Sequence, residues 1–521
     1  MTRCRLLPRL LLLTCLVLIP GCGGSTTPVD NKPTSDAITP QPEDSIAADS
    51  VATDPTANDA ASSRPVAPIR MRPAAAANAD YTAELDTTVK PRPVYRPSDN
   101  RPQRDEQRAA ELGIARYASS RLILYTDLPA EKAKHLPALV DALYTHWVDY
   151  FGDLLPNREG TEYQLTGYLM QDPEAFRAAG MLPENLPFFA HGRHLGLEFW
   201  LNEQEFDYYR EHLVLHEATH CFMTTMPGPL PPLWYMEGMA ERFALHRADE
   251  HGRSRFAVFP TTPQLHRGFG GIELIRRELR EQRGLSVTQI TQLSEADFAR
   301  SKTVPYAWSW LLCHFLSTHP RYQQRFQQLG QHLSSRAFYD LQTDSFRPDL
   351  LLLEAEWTHF VQSLDYGLDV ATFAIPFAPT TAVGSSDPFE CAVDASRGWQ
   401  SSGLSVAIGD RLTIEARGRV VVAHNPRPWE SERQGITIRY VSGRPVGRLL
   451  GLVLPSVDAQ GLPLPAQQSQ PLQILDLGEA AEFDIPATGT LYLRVNDDWR
   501  ELEDNIGTFD VSILRKEPTQ Q

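Results

Sequence analysis

The chain has 521 residues, which is longer than one hydrophobic core usually serves, so at least two folded regions are expected. Its 65 acidic and 49 basic residues give a formal net charge of −16, with 42% hydrophobic and 22% charged residues. A surface of that charge repels phosphate backbones, so we expect no nucleic-acid partner.

The first 22 residues have the pattern of an export signal. Arg3, Arg5 and Arg9 precede an apolar run at residues 10–19, which is shorter than the roughly 20 apolar residues that span a bilayer. The run ends in LIPGCGG (residues 18–24), which resembles the signal of bacterial lipoproteins, whose cysteine becomes the lipidated first residue. The resemblance implies lipidation of Cys22, a lipid anchor as the contact with membrane, and a location in the bacterial cell envelope outside the cytoplasm. Plain secretion after nearby cleavage is the alternative.

Residues 23–108 are rich in Ser, Thr, Asp, Ala and Pro and show no sustained apolar period. Such a segment buries too little surface to offset its chain entropy, which predicts a disordered tether. Beyond the signal and Cys22 the cysteines are Cys221, Cys313 and Cys391, an odd number that does not indicate a disulfide framework.

Two folded regions are predicted after the tether. In residues 109–380, strands are predicted at 121–125, 163–170 and 195–201, with one helix among them at 129–151. Further helices follow at 206–226, 234–247, 271–283 and 306–319. Strands that come mostly first and helices that come mostly afterwards favour an α+β domain. In residues 386–516, short alternating runs separated by Gly, Pro, Asn and Asp are typical of an all-β sandwich.

The motif HEATH at residues 216–220 indicates a metal site. His216 and His220 are four residues apart inside a predicted helix, so both imidazoles share one face and can bind one zinc ion. Glu217, beside the first ligand, can reach a metal-bound water as general base.

The next predicted helix supplies the third ligand. A proline-rich turn at residues 227–232 returns the chain, so an antiparallel second helix would present Glu237 to the two histidines. Two histidines and one glutamate leave one coordination position open, as a catalytic zinc requires. Glu241 lies one turn further on the same face and can accept a hydrogen bond from a ligand histidine.

HEATH followed by EGMAE at residues 237–241 resembles the gluzincin metallopeptidases, the clan of thermolysin and aminopeptidase N. The resemblance covers about residues 115–369 and implies a zinc peptidase with a peptide or protein substrate. VPY at residues 304–306 resembles the segment that carries an oxyanion-stabilising tyrosine in the aminopeptidase branch, which implies that role for Tyr306; a tyrosine that anchors a helix start is the alternative. The branch's Gly-x-Met-Glu-Asn segment is missing, and residues 196–200 stand about where its edge strand would be, so endo- and exopeptidase action both stay open.

Three further histidines lie near this motif. We interpret His212 as a partly exposed helix residue rather than a fourth ligand. His191 and His194 flank a predicted strand, and a loop role is favoured over metal binding for both.

The C-terminal region resembles the calcium-dependent galactose lectin LecA in its segments WQSSG (399–403), LYLRVND (491–497) and DNIGTFDVS (504–512). The resemblance implies a calcium site at Asp497, Asp504 and Asn505, with Glu501 where the lectin has a threonine, and a glycan as partner. Oxygen ligands on a loop suit calcium, but the same residue types are common in turns without a metal.

Two functions therefore remain. The first is a zinc-dependent peptidase tethered outside the cytoplasm, and the second is a non-catalytic surface lipoprotein that binds carbohydrate or protein and uses the peptidase fold as scaffold. They differ in whether zinc binds and in whether Glu217 acts as a base.

Overall fold

A computed structural model describes residues 94–301, 303–333, 335–380, 387–465 and 472–516. The predicted signal peptide, Cys22 and residues 23–93 of the predicted tether lie outside this part. The described chain is a mixed α/β region followed by an all-β region. Among the described residues, no helix has the length and apolarity to cross a bilayer.

A five-stranded sheet opens the α/β region in the order β1-β2-β3-β5-β4. Its strands are β1 (Ala115–Ala118), β2 (Leu122–Thr126), β3 (Leu165–Met170), β4 (Gly192–Leu195) and β5 (Glu198–Asn202). The three inner strands are parallel and both edge strands are antiparallel to their neighbours. Every side chain of β3 is buried, as expected for a central parallel strand covered on both faces.

One predicted strand is wrong in its extent. Residues 195–201 were expected as a single strand, but the structure has a hairpin of β4 and β5 that turns at Gly196, where φ is +59°. Glycine adopts this left-handed conformation without steric cost. The turn was missed because the apolar residues around Gly196 have the pattern of one continuous strand. The edge strand is therefore β4, while residues 198–202 lie inside the sheet.

Thirteen helices are described in this region, together with a two-stranded hairpin, β6 (His246–Ala248) and β7 (Ser254–Phe256). The helices are α1 (Glu106–Glu111), α2 (Ala130–Ala133), α3 (Leu136–Phe151), α4 (Pro173–Ala178), α5 (Asp207–Met223), α6 (Leu233–Ala244), α7 (Gly271–Arg280), α8 (Val287–Thr291), α9 (Glu295–Arg300), α10 (Val304–Thr318), α11 (Gln323–Gly330), α12 (Ala337–Phe346) and α13 (Leu350–Gln362). The predicted helix over 129–151 is divided into α2 and α3. Pro137 explains the division, because proline fits only the first turn of a helix.

The last residues of the predicted tether are ordered against the α/β region. Arg101 donates from Nη1 to Thr166 Oγ1 at 2.8 Å. Arg104 donates to the Tyr168 hydroxyl at 2.7 Å and pairs with Glu198 at 2.6 Å. The proline- and arginine-rich composition suggested a tether, but its guanidinium groups find partners on the sheet. Residues 94–108 therefore belong with the folded region, the last three of them as the start of α1.

The all-β region consists of two larger sheets and a short two-stranded sheet formed by residues 420–421 and 430–431. Its strands are β8 (Phe389–Asp394), β9 (Gln400–Val406), β10 (Arg411–Arg417), β11 (Val420–Val421), β12 (Glu430–Ser431), β13 (Gln434–Val441), β14 (Arg444–Leu454), β15 (Leu475–Asp476), β16 (Glu482–Asp484), β17 (Gly489–Val495) and β18 (Thr508–Arg515). One sheet has the order β16-β10-β18-β8, and the other has the order β13-β14-β17-β9 with β15 beside β14. Buried apolar residues of both sheets, among them Leu412, Leu449 and Phe509, form one core.

Aromatic side chains join the two regions. The rings of Phe373 and Trp499 stack with centroids 4.2 Å apart. Trp399 donates from Nε1 to His359 Nε2 at 3.1 Å, so that nitrogen of His359 carries no proton. These contacts bury side chains of both regions in one apolar cluster.

Candidate metal centre

Helices α5 and α6 position the predicted zinc ligands. His216, Glu217 and His220 lie on α5, and Glu237 lies on α6. His220 approaches Glu237 while His212 approaches Glu241, so the two helices run antiparallel, as the proline-rich turn between them predicts. Each helix is buried along nearly its whole length, which holds these side chains in place.

A close contact behind α6 fixes its position. A Cβ atom added at Gly238 would lie 2.4 Å from the carbonyl oxygen of Ser309 on α10. Only glycine allows the two backbones to approach so closely. The glycine after Glu237 therefore serves helix packing, which in turn places the carboxylate.

Three ligand atoms form a triangle. His220 Nε2 lies 3.1 Å from His216 Nε2 and 3.0 Å from Glu237 Oε2, and His216 Nε2 lies 3.5 Å from the same oxygen. Tetrahedral ligands at about 2.0–2.1 Å from zinc are about 3.3–3.4 Å apart. The observed separations bracket that value, so His216, His220 and Glu237 fit a zinc ion, and both histidines face it with the same ring nitrogen.

The protonation states also suit a metal. Burial raises the pKa of Glu237, but the neighbouring imidazoles of His220 and His216 outweigh it and hold that pKa at about 2. Burial lowers the pKa of His216. An ionised carboxylate and a neutral imidazole are the forms that bind zinc.

Glu241 connects a ligand to a third histidine. Its Oε1 lies 3.4 Å from His216 Nδ1, and its Oε2 lies 2.9 Å from His212 Nε2. The expectation of a partly exposed His212 is therefore wrong, because its side chain is only 1% exposed and faces α6. Burial opposes ionisation of Glu241, but His212 outweighs it and lowers the carboxyl pKa. His212 thus acts on the site through Glu241.

Strand β4 covers the candidate base. Glu217 is fully buried, and a Cβ added at Gly192 would lie 2.6 Å from its Oε1. His194, two residues along the strand, places Nδ1 3.4 Å from Glu217 Oε2 and stacks on His220 with ring centroids 4.6 Å apart. The loop role expected for His194 is therefore wrong, since it lies within β4. The signal available in the sequence was the two-residue spacing of Gly192 and His194, which puts both on one face of a strand.

Two further residues considered in the sequence, His191 and Tyr306, lie outside the ligand triangle. His191 lies just before β4, with Nδ1 3.4 Å from Gln204 Oε1, which agrees with a loop role. Tyr306 lies in the first turn of α10, close to the helix start that was predicted, and is buried, with its ring edge-on to Phe298 at 5.2 Å. Its part in stabilising an oxyanion stays a prediction.

The predicted calcium ligands are only partly brought together. Asp497 and Asn505 are buried neighbours, and Asp497 Oδ2 and Asn505 Oδ1 are buried without hydrogen-bond partners. Burial raises the pKa of Asp497 to about 6. Asp504 and Glu501 lie on the same loop with exposed side chains. Two orphaned oxygens fit a hard cation, while the third predicted ligand points to solvent in this conformation.

Comparison with known proteins identifies no family for the chain. No protein-family model matches the chain, and no curated protein matches it. Among solved structures, a match described as "EclA N-terminal domain; PllA-like lectin" is 22% identical and covers 25% of this chain and 100% of that chain, with a TM-score of 0.18. A TM-score of this size carries no argument about fold or function, so both resemblances rest on the residues quoted above.

Proposed function

We propose that the chain is a zinc-dependent peptidase of gluzincin type that acts outside the cytoplasm. The observation that carries the proposal is the triangle of His216, His220 and Glu237 with Glu217 beside it. Four chemically matched, fully buried groups at this spacing have no evident use in packing, because apolar side chains would fill the same volume at lower cost.

His216 and His220 through Nε2 and Glu237 through Oε2 would hold the ion. Zinc bound there supplies Lewis acidity, which polarises a carbonyl and makes water a nucleophile near neutral pH. Glu217 would take the proton of the attacking water and pass it to the leaving amine. Tyr306 would donate its hydroxyl to the developing negative charge.

The sheet edge supports a peptide as substrate. Strand β4 is the edge strand, and it lies against the helix that carries Glu217. An extended peptide could pair with its free edge and add a strand to the sheet, as many peptide-binding proteins allow. This pairing would bring a backbone carbonyl close to the proposed zinc ligands.

A second, independent proposal concerns the all-β region. The orphaned oxygens of Asp497 and Asn505 favour a calcium ion, which would be completed by waters or by a glycan hydroxyl. If that region alone were active, the chain would be a non-catalytic binding lipoprotein, the alternative stated above.

The test is metal content, measured by mass spectrometry on the purified full chain. The wild type is expected to hold about one zinc per chain and Glu237→Ala close to none. Glu295→Ala, which removes an exposed glutamate at the start of α9, is the matched control and should keep its zinc. A wild type that takes up no zinc after reconstitution rejects the peptidase and leaves the binding lipoprotein.

A further inference from the structure

An arginine on α6, on a different face from the proposed zinc ligand, is buried without a counter-charge. Arg242 is 9% exposed, and its Nε is buried without a hydrogen-bond partner. No carboxylate of the described residues forms an ion pair with its guanidinium. The ionisable groups that face it are Tyr150, Tyr235, Cys313 and His314. A charge buried in this way is costly unless something pairs with it.

The groups around this guanidinium have hydrogen atoms to donate. Arg242 lies over the ring of Tyr150, with 5.5 Å between the guanidinium carbon and the ring centroid. The hydroxyls of Tyr235 and Ser317 approach that of Tyr150. All three hydroxyl oxygens are buried, and none has a hydrogen-bond partner outside this group of three. Hydroxyl donors beside a cation, with no acceptor outside their own group, suit an anion.

Neighbouring groups do not supply the missing negative charge. Burial, and then the charge of Arg242, lower the pKa of His314 to about 3, so its imidazole is neutral. Burial raises the pKa of the Cys313 thiol well above its ordinary value, so it too is neutral. Glu241, the adjacent residue, faces His212 and His216 instead. The aromatic rings of Tyr150 and Phe243 and the carbonyl end of α6 offset only part of the charge.

We propose that Arg242, Tyr150, Tyr235 and Ser317 bind a small monovalent anion, with chloride as the simplest case. Tyr235 and Arg242 are seven residues apart and share one face of α6, whereas Glu237 and Glu241 occupy another. The anion therefore neutralises the buried charge behind the helix that presents the third proposed zinc ligand. It takes no part in the reaction and needs no zinc for binding.

The first test is the melting temperature of the full chain in sodium chloride and in sodium gluconate at equal ionic strength. Chloride should raise the Tm saturably, by about 2 °C at ten times its dissociation constant. Arg242→Met should lose this dependence and be at least as stable as the wild type in gluconate, because the uncompensated charge is gone. Arg280→Met, which removes an exposed arginine, should keep the dependence. A salt effect that does not saturate, or that is equal in Arg242→Met, overturns the proposal.

The second test needs no variant. Crystals of the wild type grown in bromide should show an anomalous peak within hydrogen-bonding distance of the Arg242 guanidinium. Ordered water at that position, with no anomalous signal, overturns the proposal. Both tests run equally with and without a zinc chelator, so their outcome is independent of whether the chain is a peptidase.

Discussion

The two candidate metal centres differ in how closely the protein holds their ligands together before an ion binds. In the helical region, His216, His220 and Glu237 lie within 3.0–3.5 Å of one another, and Glu241 and His212 continue the contacts outward. In the all-β region, Asp497 and Asn505 present two unpaired oxygens from a loop on which Glu501 and Asp504 are exposed.

The difference follows from the elements that carry the ligands. A helix fixes the spacing of side chains four residues apart, so two buried helices assemble a complete triangle before any ion binds. A loop leaves its distal ligands to be gathered by the ion itself. We therefore expect the first centre to bind its metal tightly with little rearrangement, and the second to bind weakly and to order its loop on binding.

The largest expected effect is on catalysis at the helical centre. Glu217→Gln should lower kcat/KM for an unstructured protein such as casein by about 10²- to 10⁴-fold, because the amide cannot accept the proton. Zinc content should stay at the wild-type level, since Glu217 is outside the ligand triangle. A variant that retains full hydrolysis while holding zinc would remove Glu217 from the mechanism.

A packing change should act on the same residue without touching it chemically. Gly192→Ala places a methyl group 2.6 Å from Glu217 Oε1 and 2.5 Å from a Leu201 methyl, so one of them must move. A displacement on the order of 1 Å costs about 10²-fold in rate. Leu195→Ala, on the exposed side of the same strand, is the control and should leave kcat/KM unchanged. Equal rates in both variants would show that β4 does not position the base.

The outer contacts should affect metal affinity more than stoichiometry. Glu241→Gln is expected to weaken zinc binding by about 10- to 100-fold in competition with a chromophoric chelator, because His216 loses the carboxylate near its Nδ1. His212→Ala should weaken it less, since it acts through Glu241. His191→Ala is the histidine control and should match the wild type; a weaker affinity there would point to a general loss of stability.

How much the sequence predicts depends on the range of the contacts. The ligand set on α5 and α6 follows from four-residue spacing and a proline-rich turn, and the structure brings His216, His220 and Glu237 together as predicted. His212 and His194 were misjudged for one reason. What covers a side chain is set by elements distant in sequence, here α6 for His212 and α5 for His194. The arginine-rich end of the tether was misjudged likewise, because its partners are on β3 and β5.

The smallest expected effect separates the two centres most directly. Calcium added to chelator-treated wild type should raise the Tm by a few degrees, about 3 °C at ten times the dissociation constant. Asp497→Asn should abolish the rise, because it removes the buried charge that the ion would neutralise, while Asp504→Asn should only reduce it, because that side chain must first turn inward. Zinc content at the helical centre, measured before chelation, should be identical in all three proteins. If calcium has no effect on the wild type, or the same effect on Asp497→Asn, the loop is an ordinary turn. The candidate metal ligands of the described residues would then all lie on α5 and α6, where two buried helices hold them together before any ion binds.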